Sequence, residues 1–315
     1  MSKLIPIDEV QIIAFDIERT LNSKEHFKFH PKVIETYLKK GYDERPKSKE
    51  EAEKRGEKGF NGLTSSFPVM EFHKRDNKTW FYGYINPTRY LFGEAFRDLM
   101  KEENYSKKEI NAMSPNMANV SLIAPVKIDG KYFIFSQIKG DALGSGQVHA
   151  GYVAGNIAGK HVMKEYEEKT ERLLINALKQ ETYEEAGMNL SSMDSTAPAY
   201  FVDERETGQV NLASVVRNAN VDSMLKSYEA QTIEKLLKAE KLEVNGIAML
   251  PILGVSLIPI EGRHNVENIV SYRPTTNGLV KTVENRGIRP YTRIVLEHLA
   301  ESKDNVKSLL EKAGF

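Results

Sequence analysis

The sequence contains no cysteine among its 315 residues. Disulfide bonds, thiolate zinc sites and cysteine nucleophiles are therefore excluded, and a reducing compartment suits the chain. Net charge is also lacking, because 44 Lys and Arg residues balance 44 Asp and Glu residues. A balanced chain has no overall attraction to nucleic acid or to a membrane surface, so neither is expected as a partner.

Long hydrophobic runs are missing as well. No apolar run approaches the roughly 18 residues that indicate a membrane-spanning helix. The opening residues are not typical of a secretory signal, because Pro6, Asp8 and Glu9 interrupt the apolar stretch. These absences predict a cytoplasmic protein. The apolar fraction of 40% and the charged fraction of 28% are ordinary for a globular protein with a hydrophobic core.

Local periodicity and turn residues predict most of the secondary structure. Strands are predicted at 10–15, at 247–260 and in two hairpins, 120–138 around Asp129-Gly130 and 199–216. Helices are predicted at 33–40, 88–103, 163–186 and 222–240, with an amphipathic helix at 291–312. The aromatic residues of 80–84 are interpreted as core, and the charged residues 203–206 as a solvated turn. This order of elements favours an α/β fold with mixed sheets.

Three glutamates stand close together near the end of the predicted helix 163–186, at Glu181, Glu184 and Glu185. Their spacing of three and four residues brings them to one face of the helix, where like charges repel each other. The negative end of the helix dipole also disfavours them. No Lys or Arg lies three or four residues from any of the three, so no ion pair within the helix offsets the repulsion.

The helical phase also aligns Glu181 and Glu185 with the apolar Leu174 and Leu178. A desolvated pair of carboxylates is costly unless a cation is present. Mg²⁺ takes hard oxygen ligands together with substrate phosphates, so its binding would offset these costs together. The spacing therefore predicts a metal site, with a solvated acidic helix end as the alternative.

The segment 180–188 resembles the second half of the Nudix box, R-E-U-x-E-E-x-G-U, where U is aliphatic. The matching positions are Glu181, Glu184, Glu185, Gly187 and Met188. Upstream, Gly151–Ile157 resembles the strand and glycine that precede the box. The resemblance covers 117–265 and implies an α/β fold, namely a Nudix-like α/β/α sandwich with a mixed sheet.

The resemblance divides the chain into three parts. Residues 117–265 would form the Nudix-like domain, and 266–315 a C-terminal segment whose amphipathic helix packs on the core. Residues 1–116 would form an N-terminal α+β extension of open role. A lid, a separate domain and the contact surface of a homodimer are the alternatives for this extension.

The family's chemistry implies a hydrolase that cleaves a diphosphate bond in a nucleoside-diphosphate-linked substrate, with Mg²⁺ or alternatively Mn²⁺ as cofactor. Carried over by position, the implied metal ligands are Glu181, Glu184, Glu185 and the backbone carbonyl of Ala154. Glu181 is alternatively the general base, and would then be the catalytic residue. The implied substrate contacts are Gln137 and Lys139.

This sequence departs from the family pattern at three places. Gln180 stands where the box has Arg, and Thr182 stands where it has an aliphatic residue. The first half of the box is longer than usual, whether Gly155 or Gly159 is its first glycine. The missing Arg keeps a second function open, namely a nucleotide-sensing or partner-binding Nudix-fold protein without catalysis.

A third interpretation starts from Phe15–Leu21. This segment follows a predicted strand and resembles the nucleophile loop of haloacid-dehalogenase-type phosphatases, with Asp16 as the nucleophile. Glu18 replaces the second Asp of that loop, and a capped turn between a strand and a helix is the alternative.

Overall fold

The computed structural model describes residues 3–14, 29–57, 60–102, 104–139, 148–150, 152–157, 171–186, 195–230, 252–260, 269–275, 277–284 and 287–315. The fold is mixed α/β, as predicted. Its strands are β1 (Lys3–Pro6), β2 (Glu9–Ala14), β3 (Leu63–Arg75), β4 (Lys78–Arg89), β5 (Met117–Ile128), β6 (Lys131–Lys139), β7 (Val148–Ala150), β8 (Val153–Asn156), β9 (Tyr200–Glu204), β10 (Gln209–Val215), β11 (Ile252–Pro259), β12 (Ile269–Thr275), β13 (Gly278–Glu284) and β14 (Gly287–Ile288).

Helices occur in both halves of the sequence. Their bounds are Pro31–Lys39, Lys49–Arg55, Leu91–Glu102, Lys107–Met113, Glu171–Ala186, Pro290–Glu301 and Lys303–Ala313, and residues 221–230 are also helical. The helices predicted at 33–40 and 88–103 are confirmed. Residues 163–170 and 231–240 of two further predicted helices lie outside the described residues. Within the part of the chain that is described, no helix is long and apolar enough to cross a membrane.

The chain forms two compact units, each assembled from separate parts of the sequence. The first unit comprises Met1–Val120, Gly155–Ala177 and Tyr200–Leu212. The second comprises Ser121–Ala154, Leu178–Ala199 and Ala213–Phe315. The contiguous domain limits predicted from the sequence stay a prediction.

In the first unit, strand β4 lies between β2, which runs parallel to it, and β3, which runs antiparallel. Alternation along β4 turns Phe81 to the inner face, where its side chain is fully buried. The Phe81 ring contacts Phe67 edge-on at 5.7 Å and stacks on Phe201 of β9 at 5.2 Å. These rings form the core beneath one face of the sheet.

A second core of the first unit lies between Pro31–Lys39 and Leu91–Glu102. Tyr37 and Phe92 stack between these helices with ring centroids 4.0 Å apart. The fully buried amide of Asn61 donates through Nδ2 to the Tyr37 hydroxyl at 2.5 Å and to the Tyr42 carbonyl at 2.9 Å. Hydrogen bonding makes this burial tolerable, because an unsatisfied buried amide would be destabilising.

In the second unit, the hairpin predicted around Asp129-Gly130 is confirmed. Strands β5 and β6 pair antiparallel, and the two turn residues have φ angles of 48° and 77°. A two-residue turn with positive φ at both positions matches the twist of the strands, which is why Asp-Gly favours it. On its other side β6 pairs with β11, and β11, β12 and β13 continue as an antiparallel series.

The C-terminal tail forms two helices and not the single helix predicted at 291–312. Pro290–Glu301 ends at Ser302, which has an extended backbone (φ −157°, ψ 152°) and caps Lys303–Ala313. The Ser302 hydroxyl accepts a hydrogen bond from the backbone N–H of Asn305 at 3.1 Å. The prediction was wrong because the apolar period continues across the break, whereas the serine cap determines where the second helix begins.

Candidate functional site

The helix Glu171–Ala186 has one buried side. Its buried residues are Leu173, Leu174, Ala177, Leu178 and Thr182, whereas Ile175, Lys179 and Tyr183 are exposed. The buried positions recur at intervals of three and four residues, which is the spacing of one face of a helix. The apolar stripe read from the sequence is therefore present, and it continues toward the glutamates.

Thr182 occupies the position where the Nudix pattern has an aliphatic residue. Its side chain is fully buried, and its hydroxyl donates to the carbonyl oxygen of Leu178 at 2.6 Å. A Thr in a helix satisfies its hydroxyl in this way without a partner from outside the helix. Thr182 can therefore pack on the apolar stripe as an aliphatic residue would.

Glu181 directly precedes Thr182 and is half-buried. The helix continues without interruption to Ala186, so Glu181, Glu184 and Glu185 hold positions i, i+3 and i+4 of one helix. The side chains of Glu184 and Glu185 lie outside the described residues. Residues at this spacing occupy one face of a helix.

The electrostatics of this helix end are unfavourable to the glutamates. Its last turn contains no basic residue. Partial negative charge of the terminal carbonyl groups adds to the repulsion among the carboxylates. A bound cation with a preference for hard oxygen ligands would reverse both effects, so the donor set suits Mg²⁺ or Mn²⁺.

Gln180 is half-buried and lies one residue before Glu181. A guanidinium at this place would carry a positive charge and five donors, whereas the glutamine amide is neutral and carries two. Gln180 can therefore orient neighbouring carboxylates only through hydrogen bonds and not through an ion pair.

The strand expected before the box is confirmed as β8, which pairs with β5 and contains the half-buried Ala154. Gln137 lies on β6, fully buried, with Ala150 of β7 and Val255 of β11 as its register partners. Lys139 is the last residue of β6, and its side chain lies outside the described residues. The roles of Ala154, Gln137 and Lys139 stay predictions.

Several predicted elements of the site lie outside the described residues. These are Asp16, Gly159, Gly187 and Met188. Among the side chains that are described, no group of three or more His, Asp or Glu is close enough to hold a metal ion. The side chains of Glu184 and Glu185 are not among those described, so the metal ligands stay a prediction.

One acidic side chain is buried against expectation. Glu204 was interpreted as part of a solvated turn, yet it is only 5% exposed and accepts a hydrogen bond from Asn211 Nδ2 at 2.5 Å. The sequence carried a signal, because Glu204 alternates with Tyr200 and Val202 along β9 and thus shares their buried face. Arg205, in the turn after β9, forms an ion pair at 2.6 Å with Asp203 of the strand.

Comparison with known proteins adds no family name. No protein-family model matches the chain, and no curated protein matches it. The fold and the helix define a mixed α/β protein with a glutamate cluster at the end of a half-buried helix. The relationship to Nudix proteins stays a proposal that rests on the sequence motif at 180–188.

Proposed function

We propose that this chain is a Nudix-type hydrolase that cleaves a diphosphate bond in a nucleoside-diphosphate-linked substrate with the help of Mg²⁺. The observation that carries the proposal is the uninterrupted helix through Glu181, Glu184 and Glu185. Its buried stripe continues to the half-buried Glu181, and its last turn holds no basic residue. Acidic residues at positions that destabilise a helix are typical of functional sites, because natural sequences depart from the usual rules of stability mainly at such sites.

The reaction would be an attack of water oxygen on one phosphorus atom of the diphosphate. The bond from that phosphorus to the bridging oxygen breaks, and two phosphate-bearing products leave. Bound Mg²⁺ would polarise the phosphates and lower the pKa of the attacking water. Glu184 and Glu185 would hold the ion, with the carbonyl oxygen of Ala154 as a further ligand.

Glu181 has two alternative roles in this scheme. As a ligand it would share the ion with its neighbours, and as the general base it would accept the proton of the attacking water.

A second candidate function rests on Gln180. A neutral amide replaces the guanidinium of the Nudix pattern, so the glutamates would lack a permanent positive neighbour at this position. The chain would then bind a nucleotide or a protein partner through a Nudix-like fold without turning over a substrate. Cytoplasmic localisation and the possibility of a homodimer belong with either proposal.

The test is a screen of the full chain with Mg²⁺ against a panel of nucleoside-diphosphate derivatives, with phosphate release measured through a coupled phosphatase. Turnover of at least one substrate is expected. Glu184→Gln should lower kcat by about 100-fold or more, because several kcal/mol of transition-state stabilisation depend on the metal. Glu311→Gln, on an exposed position of the last helix, is the matched control and should retain full activity.

Two further variants separate the alternatives. Asp16→Asn should leave turnover intact, and loss of activity only in this variant would instead support the phosphatase interpretation. Gln180→Arg should raise kcat if the missing charge limits the rate. Nucleotide binding without turnover in the wild-type chain would reject the hydrolase and favour the sensor.

A further inference from the structure

The turn between β12 and β13 contains an asparagine that is followed by a glycine, Asn277-Gly278. The register pairs Thr275 with Gly278, so the hairpin closes through a tight turn. Asn277 is exposed, and its backbone N–H donates to the Thr275 hydroxyl at 3.2 Å. The same hydroxyl donates to the Gly278 carbonyl oxygen at 2.8 Å. These bonds hold the backbone of the turn, while Asn277 stays open to water.

The structure requires a glycine at position 278. Its φ angle is 114°, a conformation that residues with a Cβ rarely adopt. A Cβ at this position would also lie 2.6 Å from Glu229 Oε1. Glu229 belongs to the helical residues 221–230, and its carboxylate accepts a hydrogen bond from the N–H of Leu279 at 3.2 Å. The fold therefore keeps a glycine directly after an exposed asparagine.

An asparagine followed by a glycine can react with its own backbone. The backbone nitrogen of the glycine, once it has lost its proton to solvent, attacks the asparagine Cγ. The bond from Cγ to Nδ2 breaks, and Nδ2 takes up a proton and leaves as ammonia, so that a cyclic succinimide forms. Water then opens either C–N bond of the ring and gives aspartate or isoaspartate. A Cβ on the following residue hinders the first attack, and glycine has none.

The chain also contains this dipeptide at a buried place, Asn61-Gly62. Asn61 is fully buried, and its Nδ2 donates to the Tyr37 hydroxyl and to the Tyr42 carbonyl oxygen. Its Oδ1 accepts from the backbone N–H of Leu91 at 3.0 Å. Loss of ammonia from Asn61 would break these bonds inside the core. Asn61 is therefore an internal control for the same chemistry in a protected position.

We propose that Asn277 is a site of spontaneous deamidation, and that its conversion loosens the β12–β13 hairpin from the helical residues 221–230. Isoaspartate carries the main chain through its side-chain carbon, so it lengthens the backbone of the turn. Both products also add a negative charge near Leu279, whose N–H is bonded to the carboxylate of Glu229. Like charges repel each other, so this contact is weakened. The modification is independent of the glutamates proposed for hydrolysis, and each proposal can fail alone.

The experiment is incubation of the full chain at physiological pH and temperature. Peptide mass spectrometry follows the mass gain from amide to carboxylate, and fragmentation by electron transfer separates isoaspartate from aspartate. Conversion at Asn277 should be at least about 100-fold faster than at Asn61, because a buried amide reacts only through local opening. In urea, the two sites should react at similar rates. The peptide with Asn245-Gly246, a pair outside the described residues, is distinguished by its sequence.

Conversion of Asn277 in the folded chain that is no faster than conversion of Asn61 would overturn the proposal. Asn277→Gln is the matched control, because the longer side chain forms a cyclic imide far more slowly. This variant should keep the mass of its turn peptide throughout the incubation. An equal mass gain in the turn peptide of both proteins would place the reaction at another residue and would also overturn the proposal.

Hydrogen exchange shows whether the modification reaches the contact with Glu229. In the aged wild-type chain, the backbone N–H of Leu279 should exchange at least about tenfold faster than in the fresh chain, because its hydrogen bond to Glu229 is weakened. The aged Asn277→Gln variant should keep the exchange rate of its fresh form. Complete deamidation of Asn277 with unchanged exchange at Leu279 would overturn the loosening of the hairpin.

Discussion

At the scale of single residues, the glutamates near Ala186 show how a local cost can mark a site. Glu181 is half-buried beside the fully buried Thr182. The hydroxyl of Thr182 is satisfied inside the helix by Leu178. The hydrogen bond thus explains how a polar residue fits the buried stripe.

The first prediction concerns Glu185, which lies four residues after Glu181 in the last turn of the helix. Glu185→Gln removes a negative charge from the negative end of the dipole and from the like-charged pair. Without divalent cations, the free energy of unfolding should rise by about 0.3–1 kcal/mol. Urea denaturation in the presence of EDTA measures it, and a clear loss of stability would contradict the account.

The second prediction concerns the pH dependence of stability at His298. Burial lowers the pKa of its imidazole, against the opposing charge of Glu301, whose carboxylate lies 3.7 Å from Nδ1. Because the folded pKa is the lower one, the unfolded state binds the proton first as pH falls. The stability contributed by the neutral ring is therefore present above about pH 6.5 and lost as the pH falls through the folded pKa.

Thermal unfolding followed by circular dichroism between about pH 7.5 and 5 measures this dependence. The melting temperature should fall on acidification, and His298→Gln should make the fall shallower. An unchanged slope in His298→Gln would show that other groups cause the effect.

Not every residue of the site was open to prediction. Periodicity on the helix correctly indicated that Glu181 would be partly buried, because a helical phase is a local property. Glu204 was misjudged because a charged run suggested a solvated turn, while its burial depends on pairing with Asn211 across the hairpin. Whether an acidic side chain is buried depends on its hydrogen-bond partner, and the charged sequence around Glu204 does not reveal that partner.

At the scale of elements, local signals gave correct predictions where one short motif decides the structure. The hairpin at Asp129-Gly130 depends on two turn residues that accept positive φ. In the tail at 291–312 two signals disagree, because the apolar period predicts one continuous helix whereas a serine cap predicts the start of a new one. The structure follows the cap, and Ser302 separates two helices.

The third prediction tests this cap. Ser302→Ala removes the oxygen that accepts from the N–H of Asn305 and should lower the free energy of unfolding by about 1 kcal/mol. Urea denaturation is the measurement. The neighbouring Lys303 is exposed, so Lys303→Ala serves as the control and should stay within about 0.5 kcal/mol of wild type. Equal stability of all three proteins would mean that the cap does not hold the second helix.

At the scale of the whole molecule, the α/β class followed from the order of helices and strands. That order did not predict which segments of the chain form each of the two units. The first unit pairs β1 with β9, which are separated by almost two hundred residues, and β2 runs parallel to β4. Such pairings depend on contacts between distant segments, and turn residues or periodicity carry no information about them. The interleaving of both units in the sequence follows from these long-range pairings.

We propose above all that the helix ending at Ala186 holds a divalent cation. Electron paramagnetic resonance of free Mn²⁺ during titration of the full chain measures this directly. The wild-type chain should remove Mn²⁺ from solution at a site with which Mg²⁺ competes, and Glu181→Gln with Glu184→Gln and Glu185→Gln in one variant should abolish that site. Equal Mn²⁺ binding by the wild type and the triple variant would contradict the account.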